Sequence, residues 1–128
     1  MKYTPSEAEL EILQILWRIE PATVRQIHET IEATKAVGYT TTLKQVQRLF
    51  EKGILERVSS GRTHLYTAVF KEKEVKNNLV DKFKNNVFKG SALDLVLFAL
   101  GEDKTDMEDI EVLERFIQTY KKQQKDAL

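Results

Sequence analysis

The feature that most constrains this chain is a change of hydrophobic period at Gly53: before it apolar residues recur at helical spacing, and after it they alternate. Three helical stretches come first. The first is expected to open at Thr4-Pro5-Ser6-Glu7, with Thr4 as cap, Pro5 in the first helical position and Glu7 completing a capping box. Leu10, Ile12, Leu13, Ile15, Leu16, Trp17 and Ile19 then cover an arc of about 220°, leaving a polar strip of Glu7, Glu11, Gln14 and Arg18. So wide an apolar arc predicts packing on two partners. Glu20-Pro21 stops the helix. Thr23 caps the second, with Gln26 three residues on and Val24, Ile27 and Ile31 as a narrow apolar face within residues 24–35. The third is capped at or near Thr40 and ends at Lys52-Gly53, where Gly supplies the left-handed residue after the helix. Residues 54–58 read as a strand, 59–62 as a turn and 63–69 as the returning strand. Three helices and a hairpin in this order are the layout of a winged helix-turn-helix.

The rest of the chain is helical. Val75, Leu79, Phe83 and Val87 recur every four residues beside a run of lysines, and Gly90 ends that helix. Residues 91–100 are apolar on almost every side, with only Ser91 and Asp94 polar. Thr105 is expected to cap the last helix, with Glu108 as box partner and a stripe of Ile110, Leu113, Phe116, Ile117 and Tyr120. Residues 121–128 are polar and expected to fray. The fold expected is mainly α with a small β-hairpin: a winged-helix DNA-binding domain over 1–70 and a helical dimerisation domain over 71–128.

Helix three carries the chemistry. With Thr40 at the origin of a helical wheel, Thr42, Leu43, Val46, Leu49 and Phe50 fall on one side as a core face. Lys44 and Arg48 flank the centre of the opposite side, with Thr41, Gln45 and Lys52 beside them and Thr40 and Gln47 at the edge. Arg and Lys can take guanine O6 and N7, Gln pairs with adenine, and a Thr methyl meets the thymine methyl. Thr40, Thr41, Lys44, Gln45 and Arg48 are therefore the expected DNA-reading residues, and Arg62 at the hairpin tip the expected backbone contact. The bland alternative is a solvated helix face and an ordinary polar turn residue.

Net charge is zero, 20 Lys and Arg against 20 Asp and Glu, but it is unevenly spread. Residues 35–66 hold six basic side chains against Glu51 and Glu56, whereas 101–115 hold seven acids against Lys104 and Arg115. A basic reading head and an acidic far end emerge from a neutral total.

Other classes find little support. With no Cys, disulfides, thiol catalysis and thiolate metal sites are excluded. His28 flanks the apolar face of helix two and reads as structural; His64 alternates on the wing strand; neither has a second ligand at metal spacing. No nucleophile triad, phosphate loop or glycine fingerprint is present, so neither an enzyme nor a cofactor is expected. The longest apolar run, 95–100, falls far short of the ~18 residues of a membrane span, and no signal peptide is visible. Cytoplasm is the expected location, without membrane insertion.

A helix apolar all round must be covered all round. A second copy of the chain would cover it, and twofold dimers are the commonest closed assembly. Leu93, Leu95, Val96, Leu97, Phe98, Leu100, Leu113 and Ile117 are the expected dimerisation residues. A small self-contained helical core is the alternative.

Three stretches resemble the penicillinase-repressor family of winged-helix repressors, the BlaI, MecI and CopY type. Ser6-Glu7-Ala8-Glu9-Leu10-Glu11-Ile12-Leu13 through Leu16-Trp17 is similar to its first helix. Gly38-Tyr39-Thr40-Thr41-Thr42-Leu43-Lys44-Gln45-Val46-Gln47-Arg48-Leu49 with Glu51-Lys52-Gly53 resembles its recognition helix, and this stretch is the most specific. Arg62 to Tyr66 resembles its wing, and Val87-Phe88-Lys89-Gly90-Ser91 with Leu93, Leu95 and Val96 the start of its dimerisation region. The resemblance spans residues 4–120. It implies a homodimeric repressor on a palindromic double-stranded DNA operator, relieved by proteolysis in the C-terminal region under an upstream membrane metalloprotease receptor, or by copper. The family's Asn-Phe cleavage pair is replaced here by Phe98-Ala99, and the Cys pairs of the copper branch are absent. The competing function is a winged helix that binds protein instead of specific DNA.

Overall fold

The computed structural model describes residues 2–102 and 105–127, with the side chain of Glu102 left aside. Asp103 and Lys104 of the acidic stretch and the terminal Met1 and Leu128 lie outside the described residues. The order is α1 (Glu7–Ile19), α2 (Val24–Glu32), α3 (Tyr39–Glu51), β1 (Leu55–Ser60), β2 (Thr63–Ala68), α4 (Glu72–Val87), α5 (Ala92–Glu102) and α6 (Met107–Ala127). Helices and a two-stranded antiparallel hairpin make this a winged helix with helices beyond it. The chain separates into two compact units, Met1–Lys82 and Phe83–Leu128.

In the first unit α1 supplies the centre of the core. Ile12, Leu13 and Leu16 have no exposed surface and meet Ile27 and Ile31 of α2, Val46 and Leu49 of α3, and Ile54, Leu55 and Tyr66 from the hairpin side. Ala22, between α1 and α2, pairs with Tyr66 through two backbone hydrogen bonds of 3.1 and 2.8 Å, adding one residue of strand beside β2. The Glu20 carboxylate accepts from Ala68 N at 2.8 Å. The first turns of α4 belong to this unit. Val75 is fully buried, Asn78 donates to Tyr3 O at 3.1 Å, and Trp17 Nε1 donates to Phe70 O at 3.0 Å. The Trp17 bond brings one residue of α1's wide apolar arc against the chain just before α4.

Several boundaries differ from the sequence expectation. The α1 cap is Ser6, not Thr4, and its partner is Glu9, not Glu7. Ser6 Oγ accepts from Glu9 N, and the Glu9 carboxylate accepts from Ser6 N at 2.9 Å while also accepting from Lys52 Nζ at 2.9 Å. The tertiary ion pair with Lys52 favours the box two residues further on. The cap of α3 is Gly38, not Thr40, and α2 ends at Glu32. Asp106, not Thr105, caps α6, accepting from Asp109 N at 2.9 Å. Residues 121–127 continue that helix to Ala127 where fraying was expected, as suits a run of Lys, Gln and Ala with good helix propensity. Gly53 does terminate α3, with φ of 80°.

Glu9 and Tyr3 feel this corner electrostatically. Burial pushes the Tyr3 hydroxyl pKa up, and the Glu9 charge pushes it further. Burial alone would raise the Glu9 pKa as well, but the hydrogen bond from Ser6 N and the Lys52 ammonium outweigh it and hold the carboxyl below its usual range. A folded pKa below the unfolded one contributes stability above the unfolded carboxylate pKa and loses it as pH falls through the folded value. Glu9→Gln keeps an acceptor for the capping box and removes only the charge. It should cost about 0.5–1 kcal/mol at neutral pH. Urea denaturation should show the gap between variant and parent closing below the carboxylate range; a gap that persists there would contradict this account.

Candidate nucleic-acid interface

One face of α3 is committed to the core. Thr42 and Val46 have no exposed surface and Leu49 only 1%, with Leu43 and Phe50 packed at the margin. Thr42 can be buried because its hydroxyl is 3.0 Å from Nδ1 of the buried His28, whose Nε2 lies 3.1 Å from the Glu32 carboxylate. This chain of bonds ties α2 to α3. His28 is thus a structural residue, fully partnered at both ring nitrogens.

With 3.6 residues per turn, what is left faces outward. Thr40, Thr41, Lys44, Gln47 and Arg48 are exposed, and Gln45 is half-buried. Gln45 and Arg48 border a cavity of about 170 Å³ shared with Ser6, Ala8, Glu9 and Ile12 of the α1 end. α3 therefore gathers Thr40, Thr41, Lys44, Gln45 and Arg48 on one element, as the sequence expected. Arg62 is exposed in the two-residue turn of the hairpin beside Gly61, whose φ is 63°. Ser60 and Thr63 pair on either side of it. Glycine with positive φ at the first central position suits a tight hairpin turn and makes Arg62 the tip of the wing.

The six basic residues of 35–66 divide into two groups. Lys35 pairs with Glu11 at 2.9 Å and Lys52 with Glu9 at 2.9 Å. Arg57 lies over the Phe50 ring, 3.9 Å from its centroid, with Nη1 donating to the Tyr66 hydroxyl at 3.5 Å. These three are structural, including the Lys52 that the wheel placed beside the reading face. Among the described residues no ion pair engages Lys44, Arg48 or Arg62. Three unneutralised cations thus stand on the helix and the turn.

At the opening of the helix-turn-helix, Arg25 has no place in the sequence reading, and Tyr39 enters it only within the stretch that resembles a recognition helix. The Arg25 guanidinium lies 5.6 Å from the centroid of the Tyr39 ring, and the Tyr39 ring meets His28 edge-on at 5.4 Å. The available signal was Arg25 itself: a cation in the first turn of a helix sits against the dipole.

Among the described residues there is no group of three or more His, Asp or Glu that could hold a metal ion, and no helix is long and apolar enough to cross a membrane.

The second unit has a different character. Among the described residues, none after Lys82 is buried. Leu95 and Leu113 are half-buried, while Leu93, Val96, Leu97, Phe98, Leu100 and Ile117 are exposed, Leu93 at 66% and Phe98 at 58%. Phe88 packs on Phe83 and on Phe98, with centroids 5.6 and 5.7 Å apart. Among the described residues of this unit no buried apolar side chain accompanies these rings.

These elements define a winged-helix protein of the transcriptional-regulator class, its third helix bearing an outward, basic and amide-rich face. Residues 5–119 match the penicillinase repressor family, and the chain belongs to it. The chain is 28% identical over 115 residues to the methicillin resistance regulatory protein MecI of Staphylococcus aureus (strain N315), covering 90% of this chain and 94% of that protein. It is 26% identical over 128 residues to the penicillinase repressor of Bacillus licheniformis, covering 98% of this chain and all of the relative. The solution structure of the DNA-binding domain of the repressor BlaI superposes with a TM-score of 0.50 at 28% identity, covering 58% of this chain and 93% of that one.

Arg48→Ala and Lys44→Ala should weaken duplex DNA binding while leaving the thermal melt unchanged, since both side chains are exposed and unpaired. A base contact should cost ~1–3 kcal/mol and relax sequence preference, whereas a phosphate contact should weaken all sequences alike. Unchanged DNA binding by the double variant, measured by fluorescence anisotropy, would remove α3 as the reading element.

Proposed function

We propose that this protein is a homodimeric transcriptional repressor that binds a palindromic operator through α3 and the hairpin tip. The observation that carries the reading is the outward face of α3, where Lys44 and Arg48 are exposed and without ion-pair partners while the opposite face is locked in the core. Family membership supports it: one relative is named a penicillinase repressor, another a methicillin resistance regulatory protein, and the superposed structure is a repressor's DNA-binding domain. Thr40, Thr41, Lys44, Gln45 and Arg48 read the major groove, and Arg62 contacts the phosphate backbone.

The dimer reading rests on the second unit. Leu93, Val96, Leu97, Phe98, Leu100 and Ile117 leave apolar surface in water that no part of this chain covers among the described residues. An exposed contiguous apolar surface marks an interaction site, and a second copy of the same helices is the partner with matching surface. Leu95 and Leu113 complete that interface. Two joined heads read an inverted repeat with higher affinity than one, because binding of the first raises the effective concentration of the second.

Regulation follows from the same dependence. A cut within α5 separates α6 from the rest and dissolves the interface. Derepression by proteolysis in this region is therefore part of the proposal, with a membrane metalloprotease receptor as the upstream partner that the family resemblance implies. Phe98-Ala99 stands where the family's Asn-Phe bond would be, inside α5, so a protease of different preference is required.

Leu97→Asp should leave the winged helix folded and make the protein monomeric in analytical ultracentrifugation. Its affinity for a palindromic site should fall by about 10²-fold or more through loss of effective concentration. If the parent protein is already monomeric at micromolar concentration and binds one palindrome tightly, the dimer and the cleavage switch both fail.

A further inference from the structure

Arg25 is an exposed cation at the second position of α2, where the helix dipole disfavours positive charge. The obvious remedy, an ion pair with Glu29 one turn on, is not used: among the described residues no ion pair or hydrogen bond engages its guanidinium. Instead the side chain turns toward Tyr39, the first residue of α3, and its guanidinium carbon lies over that ring, 5.6 Å from the centroid. That ring is itself held. Its edge meets His28 at 5.4 Å and 84°, and His28 is buried and bonded on both nitrogens to Thr42 and Glu32. The surface arginine is thereby drawn toward the start of the reading helix.

Orienting a cation without neutralising it makes sense when its partner comes from outside. A guanidinium attracted to an aromatic ring uses no N–H donor in that contact, so its planar fork stays free for two oxygens of a phosphate. We propose that Arg25, oriented by Tyr39, binds a phosphodiester of the operator at the junction of α2 and α3. The proposal rests on the DNA-binding reading above and adds a backbone contact on the α2 side of the reading helix, as Arg62 supplies one from the wing. Arg25 makes the contact; Tyr39 is a positioning residue that lowers the entropic cost of holding the fork in place.

Charge and orientation make separable predictions. Binding of full-length protein to an operator duplex and to an unrelated duplex of equal length is measured across a range of salt concentrations. Arg25→Gln deletes one phosphate contact per head, so the slope of log K against log salt should become shallower by about 0.9 per head, about 1.8 for a dimer. Affinity should fall by a similar factor, about 3–30-fold at low salt, on both duplexes, leaving their ratio intact. Tyr39→Ala and Arg25→Lys keep the charge. Both should bind several-fold more weakly than the parent with its slope nearly unchanged.

Each other outcome has a distinct meaning. A parent slope near zero sinks the DNA-binding reading and this proposal with it. A steep parent slope that Arg25→Gln leaves unaltered, with unaltered affinity, overturns the Arg25 contact and leaves the reading helix standing. Loss confined to the operator duplex makes Arg25 a base reader and overturns the backbone assignment. Full affinity in Tyr39→Ala overturns the positioning role. Thermal melts of each variant identify any loss due to unfolding, and since Arg25 is exposed and outside the core, Arg25→Gln should melt with the parent.

Discussion

The burial of one face of α3 is the constraint on which the functional surface depends. Thr42, Val46 and Leu49 enter a core built by Ile12, Leu13 and Leu16 of α1 and by Ile27 and Ile31 of α2. Helical geometry then leaves no choice about the opposite face. Lys44 and Arg48 are carried outward because Val46 and Leu49 go in. The polar member of the buried set, Thr42, is acceptable only because His28 bonds its hydroxyl, since an unpartnered hydroxyl in that position would be costly. The same His28 steadies Tyr39 through its ring. A buried imidazole thus connects the interior packing with the side chains at the opening of α3.

Electrostatics refine what packing sets up. The chain is neutral overall, and even its basic region is partly neutralised from within. Glu9 and Glu11 of α1 take up Lys52 and Lys35, and the π face of Phe50 takes up Arg57. The side chains left without an acidic partner in this region include Lys44, Arg48, Arg62 and Arg25. Local field, not net charge, decides where a polyanion is attracted, and internal pairing concentrates that field on α3, the junction before it and the wing tip.

Much of this was legible in the sequence because it is encoded locally. The switch of period at Gly53, the Thr23 box with Gln26, and the apolar stripe of α3 are near-neighbour patterns, and the structure reproduces them. Misses arose where a residue distant in sequence decided between local options. Thr4-x-x-Glu7 and Ser6-x-x-Glu9 are both plausible capping boxes; Lys52, packed against Glu9, selects the second. The wheel put Lys52 near the reading face, but its pairing with Glu9 draws it to α1. Arg25 was passed over because Tyr39 is its neighbour only once α2 and α3 have folded together. The apolar character of residues 91–100 was legible from composition alone, since no fold of a single short helix can hide an apolar surface on every side.

The two units differ in kind: the first has a closed core and an outward polar face, while the described residues of the second expose apolar faces and include no buried side chain. Under the proposed function, joining two copies through the second unit brings two reading heads together on one duplex. The most direct test is to recover the fragments of its own genome that the full-length protein retains at physiological salt and to read their sequences. The account predicts a small set of fragments sharing an inverted repeat, with half-sites separated by about one helical turn or a multiple of it. Retention of fragments without a shared repeat, or of none above background, would contradict it.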